Sequence, residues 1–144
     1  MILDWTLNNL NYCSLHVNHT LLGDEEYKRR TNLTFYAPWQ YGKEVHKNMK
    51  RFDTIIIKEP CLFNGLAQNQ KITLADIFVF NEILTLNLID RDLSKYPNAV
   101  LYIKRLAAAY PKLVEYNKSI QAYASVKKVP YYLDGGLDAN TARL

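Results

Sequence analysis

The sequence predicts an all-α protein, and three observations lead to that prediction. Apolar residues recur at spacings of three and four in several segments, which places them on one face of a helix. These segments are 2–22, 41–58, 98–110 and 112–127. A further segment, 72–88, opens with a helix-capping signal and is apolar on every side. No stretch of the 144 residues alternates apolar and polar side chains convincingly enough to predict a strand.

The first two predicted helices flank a less regular region. The helix over 2–22 stops at Gly23, and the stretch 24–30, DEEYKRR, predicts only a short helical turn. The helix over 41–58 is amphipathic, with its apolar side chains on one face and its basic ones mostly on others. Those two sets are Val45, Met49, Phe52 and Ile56, and Lys43, Lys47, Lys50 and Arg51. Pro60 ends this helix, because proline cannot continue the hydrogen-bond ladder.

The segment 72–88 predicts the central helix of a bundle. Thr73 and Asp76 have the spacing of a capping box, in which each side chain accepts a hydrogen bond from the other residue's backbone N–H. A helix that is apolar all round belongs inside a bundle rather than on its surface. We therefore expect Asp76 to act in folding and not in catalysis.

The C-terminal part predicts two more helices and a tail. Pro97 and Pro111 bracket the helix over 98–110, and the last helix covers 112–127. The helical pattern stops after Lys128. The prediction is thus a bundle of five or six helices over residues 1–128, with an extended tail over 129–144.

Composition narrows the functional classes. The net charge of +4 and the pI near 9.0 make the chain mildly basic, but its basic clusters lack the spacing of a nucleic-acid motif. We interpret them as solvated surface, since charge runs usually are, which argues against a nucleic-acid partner. The weaker alternative is RNA or tRNA contact through Lys43, Lys47, Lys50 and Arg51. No apolar run is long enough to span a membrane. The two cysteines imply no disulfide framework, which favours an intracellular location, cytoplasmic or mitochondrial.

Metal-ligand residue types occur close together at one place. Cys13, His16 and His19 recur at every third residue of the first helix. This spacing rotates them around the helix, and no fourth ligand is in view, whereas structural zinc normally takes four. We therefore predict no metal site there, and no nucleotide-binding or hydrolase motif predicts a cofactor or a catalytic residue elsewhere.

Two further motifs carry a family resemblance. The stretch 62–84, LFNGLAQNQKITLADIFVFNEIL, and the stretch 96–111, YPNAVLYIKRLAAAYP, resemble the C-terminal, all-helical domain of cytosolic glutathione transferases. In that family a loop and a capping box open the buried central helix, and a surface helix beginning YPN follows. The stretch 2–10 resembles the first helix of the same domain, so the likeness covers about residues 2–125.

The resemblance covers only the helical domain of the family, and this suggests a function. The family's thioredoxin-like domain binds glutathione and activates its thiol, and we expect it to be missing here because the helical half begins at Met1. We therefore expect a non-catalytic accessory or scaffold subunit of a larger complex, with no cofactor. The alternative is the helical half of a two-chain transferase that a separate thioredoxin-like subunit completes.

The resemblance also predicts which surface binds partner proteins. In the two-domain family, helices of this half pack against the partner domain or across the dimer interface, so apolar surface is left for another protein. The interface candidates are Trp5, Tyr12, Leu62, Phe63, Arg105, Tyr131 and Tyr132.

Overall fold

The computed structural model describes residues 2–31, 39–58, 72–129 and 131–133, which contain helices and no strand. The helices are α1 (Ile2–Asn9), α2 (Tyr12–Leu22), α3 (Asp24–Thr31), α4 (Trp39–Lys58), α5 (Leu74–Thr85), α6 (Pro97–Ala109), α7 (Pro111–Tyr116) and α8 (Lys118–Lys127), and a 3-10 turn, Leu86–Ile89, follows α5. The all-α prediction is confirmed. The described residues contain eight helices instead of five or six, because two predicted helices are each divided and the predicted turn is a helix.

Helix α5 lies at the centre, where it packs against α1, α2 and α6. Four of its apolar side chains are fully buried: Val79, Phe80, Ile83 and Leu84. Leu74, the first helical residue, is 71% exposed, and Ile77 and Phe78 are half-buried. The position of the predicted central helix is therefore correct, but the helix is not buried on every side.

Helix α4 has the predicted amphipathic pattern. Val45, Met49 and Phe52 are buried in the core. Its four basic side chains, Lys43, Lys47, Lys50 and Arg51, are all exposed. Because one face packs on α2 and α6 while the other carries the charges, α4 forms part of the outer layer.

The predicted helix over 2–22 is divided at Leu10 and Asn11, which corrects the sequence interpretation. The buried Asn48 side chain of α4 donates to the carbonyl oxygen of Asn9 at the end of α1, at 2.9 Å. On the other side of the break, the Glu82 carboxylate of α5 accepts the backbone N–H of Ser14 at 3.0 Å. Both helix ends are therefore satisfied by side chains that are distant in sequence, which local periodicity does not reveal.

The last predicted helix is divided in a similar way, at Asn117. The Asn117 amide donates to the Leu113 carbonyl at 2.8 Å and to Asn81 Oδ1 of α5 at 3.0 Å. A side chain that bonds nearby backbone competes with the helical ladder, so the helix stops and restarts. The two halves, α7 and α8, bury Leu113 and Ile120, whereas Tyr116, which has the same helical spacing, is 84% exposed.

Helix α3 is longer than the predicted turn. Gly23 ends α2 with a φ of 76°, a backbone conformation that glycine adopts easily, and α3 begins at the next residue. The Tyr27 side chain is buried, and its hydroxyl donates to that of Tyr41 on α4 at 3.2 Å. One buried tyrosine thus anchors an otherwise charged helix.

The described part of the tail packs on the bundle. Tyr131 is 5% exposed and belongs to the core, and Val129, Tyr132 and Leu133 pack against that core. The Tyr132 backbone N–H donates to Asn87 Oδ1 at 3.1 Å, and its hydroxyl donates to the Arg91 carbonyl. Residues 131–133 are therefore continuous with the helical unit.

Candidate functional site

The predicted capping box at α5 forms and has a second role. Asp76 Oδ2 accepts from the Thr73 backbone N–H at 2.8 Å and from Thr73 Oγ1 at 2.7 Å, while Thr73 Oγ1 accepts from the Asp76 backbone N–H at 3.3 Å. The other Asp76 oxygen, Oδ1, accepts the hydroxyl of Tyr102 on α6. Burial, and then the nearby Asp76 carboxylate, raise the pKa of the Tyr102 hydroxyl. Asp76 thus caps α5 and joins it to α6.

Two other carboxylates cap helices to which they do not belong. Asp53 of α4 accepts the N–H groups of Asn98 and Ala99 through Oδ1, at 2.8 and 2.9 Å, and the Asn98 amide through Oδ2. These groups form the first turn of α6, whose unsatisfied N–H groups attract a negative charge. The sequence interpretation missed Asp53, because no local signal links it to residue 98.

Glu82 is the second carboxylate that caps another helix, and outside the capping box it is the most buried acidic group among the residues that the structure describes. It accepts both the N–H and the Oγ–H of Ser14, at 3.0 and 2.7 Å, in the first turn of α2. Burial raises the pKa of Glu82, and the two bonds from Ser14 oppose that rise. Glu82 lies within the apolar segment 72–88. An acidic residue in a buried helix needs a hydrogen-bond partner, so the sequence did contain a signal for this contact, although it did not indicate Ser14 as the partner.

Cys13, one of the three metal-ligand residue types on the predicted first helix, lies in the core of the bundle. Its thiol is 1% exposed, and burial, followed by the nearby Glu82 charge, raises its pKa. Among the described residues, no group of three or more histidine, cysteine, aspartate or glutamate side chains could hold a metal ion. Cys13 therefore packs as a small, unreactive core residue.

An open cleft of about 420 Å³ lies between α2, α4 and the segment after the 3-10 turn. Polar side chains from all three elements line it: His16, Thr20, His46, Asp90, Arg91, Asp92, Lys95 and Tyr96, together with Ile89. The sequence interpretation assigned no role to this group, because its members are up to 80 residues apart.

The segment from Asp90 to Tyr96 has a fixed backbone. Asp90 adopts a left-handed conformation, with φ 50° and ψ 43°, which ends the 3-10 turn. The Arg91 N–H then donates to the Leu86 carbonyl at 3.1 Å, and Asp92 accepts the Ser94 N–H at 2.9 Å. Loop residues held in this way can present side chains in a defined geometry.

Inside the cleft, Arg91 and a histidine-tyrosine pair form hydrogen bonds. The Arg91 guanidinium donates through Nη2 to the Gly42 carbonyl of α4 at 3.2 Å. His46 Nδ1 and the Tyr96 hydroxyl form a hydrogen bond of 2.6 Å. Burial raises the pKa of Tyr96, and burial followed by the Arg91 charge lowers the pKa of His16.

The predicted interface residues of the N-terminal and central parts have different environments. Trp5 is half-buried, and the Arg51 guanidinium lies 5.6 Å from the centroid of its ring. Tyr12 is half-buried with its ring 6.4 Å from that of Tyr41, so part of its surface already packs within the chain. Leu62 and Phe63 lie outside the described residues, as does Pro60.

The remaining interface candidates lie on α6 and in the tail. Arg105 is half-buried on α6, where burial lowers the pKa of its guanidinium. Tyr131 is buried in the core and Tyr132 is half-buried against it, so both tyrosines already pack within this chain. The role of these three residues in partner binding stays a prediction.

Comparison with family models, with curated proteins and with solved structures gives no match for this chain. The resemblance to the glutathione transferase helical domain therefore remains an expectation from residues 2–125. Among the described helices, none combines the length and apolar character that crossing a bilayer requires.

Proposed function

We propose that this chain is a non-catalytic accessory or scaffold subunit of a larger intracellular complex, cytoplasmic or mitochondrial, and that it binds partner proteins through helical faces. The observation that supports the proposal best is a set of accessible side chains on α1, α4 and the start of α5. We propose that Trp5, Leu7, Arg51 and Leu74 belong to one docking face, which we call the α1–α5 surface.

The composition of the α1–α5 surface suits protein binding. Helix α1 packs against α5, and Leu7 and Leu74 on these two helices are 43% and 71% exposed. Arg51 lies over the half-buried Trp5 ring, and tryptophan and arginine are enriched among the residues that dominate binding energy at interfaces. Because Trp5 is already packed on one side, it would lose little side-chain freedom on binding.

The experiment compares the partners that are recovered with the full chain and with two matched variants. One variant carries Leu7→Glu and Leu74→Glu, which place charges on the α1–α5 surface. The control carries Tyr116→Glu and Val126→Glu at side chains that are 84% and 79% exposed on α7 and α8. Far-UV circular dichroism checks that both variants are folded.

We expect the native chain and the control to recover the same stoichiometric partner subunits after chemical cross-linking, and the Leu7→Glu, Leu74→Glu variant to lose them. Equal recovery with all three chains would refute the α1–α5 surface as the docking face. A native chain that stays monomeric in cell extract would refute the scaffold role itself.

The second candidate is the helical half of a two-chain glutathione transferase. The capping box and the stretch 96–111 favour it, since the resemblance that they carry is to a domain that works beside a glutathione-binding half. If the recovered partner has a thioredoxin fold, binds glutathione and forms conjugates only together with this chain, this candidate replaces the scaffold role.

A further inference from the structure

We propose that the cleft between α2, α4 and residues 89–96 binds a small oxyanion, a phosphate or a carboxylate, with Arg91 as its anchor. This proposal goes beyond the docking role and does not depend on it. The ligand class follows from three features of the cleft: a half-buried cation, further cationic or polar donors around it, and a fixed backbone.

The cation is the Arg91 guanidinium. It is half-buried, and within the described part of the chain no carboxylate lies at ion-pair distance from it. It donates to the Gly42 carbonyl and also lies within hydrogen-bonding reach of the Tyr96 hydroxyl, and both of these partners are neutral. A charge that is partly removed from water is stabilised by an opposite charge, and a guanidinium can hold two oxygens of one anion.

Donors from other elements surround the Arg91 position. His16 and Thr20 come from α2, His46 from α4, and Lys95 from the loop that also carries Arg91. The His16 ring and the Arg91 guanidinium both lie within 4 Å of the point that a Cβ atom on Gly42 would occupy, so the two groups are close together. An oxyanion in that space would accept from Arg91 and from an imidazole N–H at the same time.

The acidic residues of the cleft limit the ligand's size and charge. Asp92 is exposed and its carboxylate already accepts the Ser94 N–H, while Asp90 is exposed at the end of the 3-10 turn. Both carboxylates would repel a polyanion that extends over them, such as a nucleic-acid backbone, more strongly than a small anion held at Arg91. A volume of about 420 Å³ is within the range of small-molecule sites.

The test is a titration of the full chain with sodium phosphate, followed by NMR of backbone amides and histidine side chains. Sodium chloride keeps the ionic strength constant, and a parallel titration with sodium acetate separates phosphate from carboxylate recognition. We expect saturable shifts at His16, His46 and residues 91–95. Shifts that do not saturate, or that spread over the exposed lysines of α4, would refute the site.

Variants of the two cleft cations provide the matched comparison. Arg91→Gln should weaken the binding of the preferred anion about tenfold or more, because a charge-assisted bidentate contact is lost. Lys95→Gln, at an exposed position, should weaken it less and keep the fold. Lys112→Gln removes the same charge from the exposed start of α7 and should change nothing.

The outcomes separate clearly. If Arg91→Gln remains folded and binds as tightly as the native chain, the anchor is wrong and the proposal fails. If Arg91→Gln does not fold, Lys95→Gln and the shift map of the native chain decide the question. Equal weakening by Lys95→Gln and Lys112→Gln would mean general charge attraction and would also refute a defined site.

Discussion

The backbone N–H groups in the first turns of α5 and α6 find their hydrogen-bond acceptors in different ways. At α5, the capping side chains come from the helix's own sequence, because Thr73 and Asp76 satisfy each other's N–H groups. At α6, the capping oxygen comes from Asp53, which lies on α4 and is 45 residues away in sequence from Asn98. The α5 arrangement was visible in the sequence, whereas the α6 arrangement required the fold.

The difference teaches how capping and packing are coupled in this bundle. A local cap stabilises its helix before the bundle forms, whereas a cap from another helix contributes only when two helices are already together. Asp53 and Glu82 therefore specify tertiary arrangement as well as helix ends. Asp76 belongs to both groups, since it caps α5 locally and accepts the Tyr102 hydroxyl of α6.

The largest effect is expected from Asp76→Ala. This change removes the capping box and also leaves the buried Tyr102 hydroxyl without its acceptor. Losing a helix cap costs about 0.5–2 kcal/mol and an unsatisfied buried group about 1–3 kcal/mol, so we expect the free energy of unfolding to fall by about 2–4 kcal/mol. Urea unfolding followed by circular dichroism measures it.

A double-mutant cycle with Tyr102→Phe separates the two roles of Asp76. Tyr102→Phe removes the hydroxyl that Asp76 accepts, so in its background Asp76→Ala should cost only the cap. Additive effects of the two changes would show that the hydrogen bond between Asp76 and Tyr102 contributes no coupling energy. Asp76 would then act only as a local cap of α5 and would not specify how α5 and α6 pack.

The next largest effect is expected from Asp53→Ala. The change removes three hydrogen bonds to a carboxylate at the start of α6, and hydrogen bonds to charged groups contribute about 1.5–3 kcal/mol. Because Asp53 is half-buried and some bonds can be replaced by water, we expect a loss of about 1.5–3 kcal/mol in total. Hydrogen exchange should show the loss of protection first at Asn98 and Ala99.

Asp92→Ala is the matched control for Asp53→Ala. Asp92 also accepts a backbone N–H, that of Ser94, but it is exposed and caps no long helix. We expect its unfolding free energy to change by less than about 0.5 kcal/mol, as is usual at the surface. If both aspartates gave the same small effect, capping across helices would not stabilise this bundle.

Much of the fold could be predicted from the sequence because its signals are local. The spacing of Val45, Met49 and Phe52 predicts the buried face of α4, and the box at Thr73 and Asp76 predicts the start of α5. The divisions at Asn11 and Asn117 could not be predicted, because they depend on bonds to Glu82 and Asn81 of α5. Helical periodicity continues through both breaks and conceals them.

The candidate site was less predictable, because it also depends on contacts between residues that are distant in the sequence. The cleft joins His16, His46 and Arg91, which belong to three elements, and no motif relates their positions in the chain. Tyr131 was predicted to bind a partner protein, but it is buried in the core of this chain. A tyrosine in a tail without helical periodicity gives no sequence signal for such burial. Function that arises from such long-range proximity requires the three-dimensional structure.

Thr73→Ala tests the local half of the comparison with a smaller effect. The change removes Oγ1, which accepts the Asp76 N–H at 3.3 Å, but it leaves the bond between Asp76 and Tyr102. We expect a loss of about 1 kcal/mol in urea unfolding, with most of it restored by Thr73→Ser, which keeps the hydroxyl. A loss as large as that of Asp76→Ala would mean that the Tyr102 bond adds nothing.

The smallest effect, confined to one pH interval, is expected from Glu82→Gln. Burial raises the pKa of Glu82 in the folded chain. As the pH rises, the unfolded chain therefore loses the Glu82 carboxyl proton first, at a pH of about 4.3. Native stability from this group is thus fully present below that pH and is lost as the pH rises through the folded pKa. Glutamine lacks this titration, and its amide can accept the Ser14 N–H and donate to Ser14 Oγ. The unfolding free energy of the native chain minus that of Glu82→Gln should therefore decrease as the pH rises from 4, whereas a difference independent of pH would contradict a buried, α2-capping carboxylate.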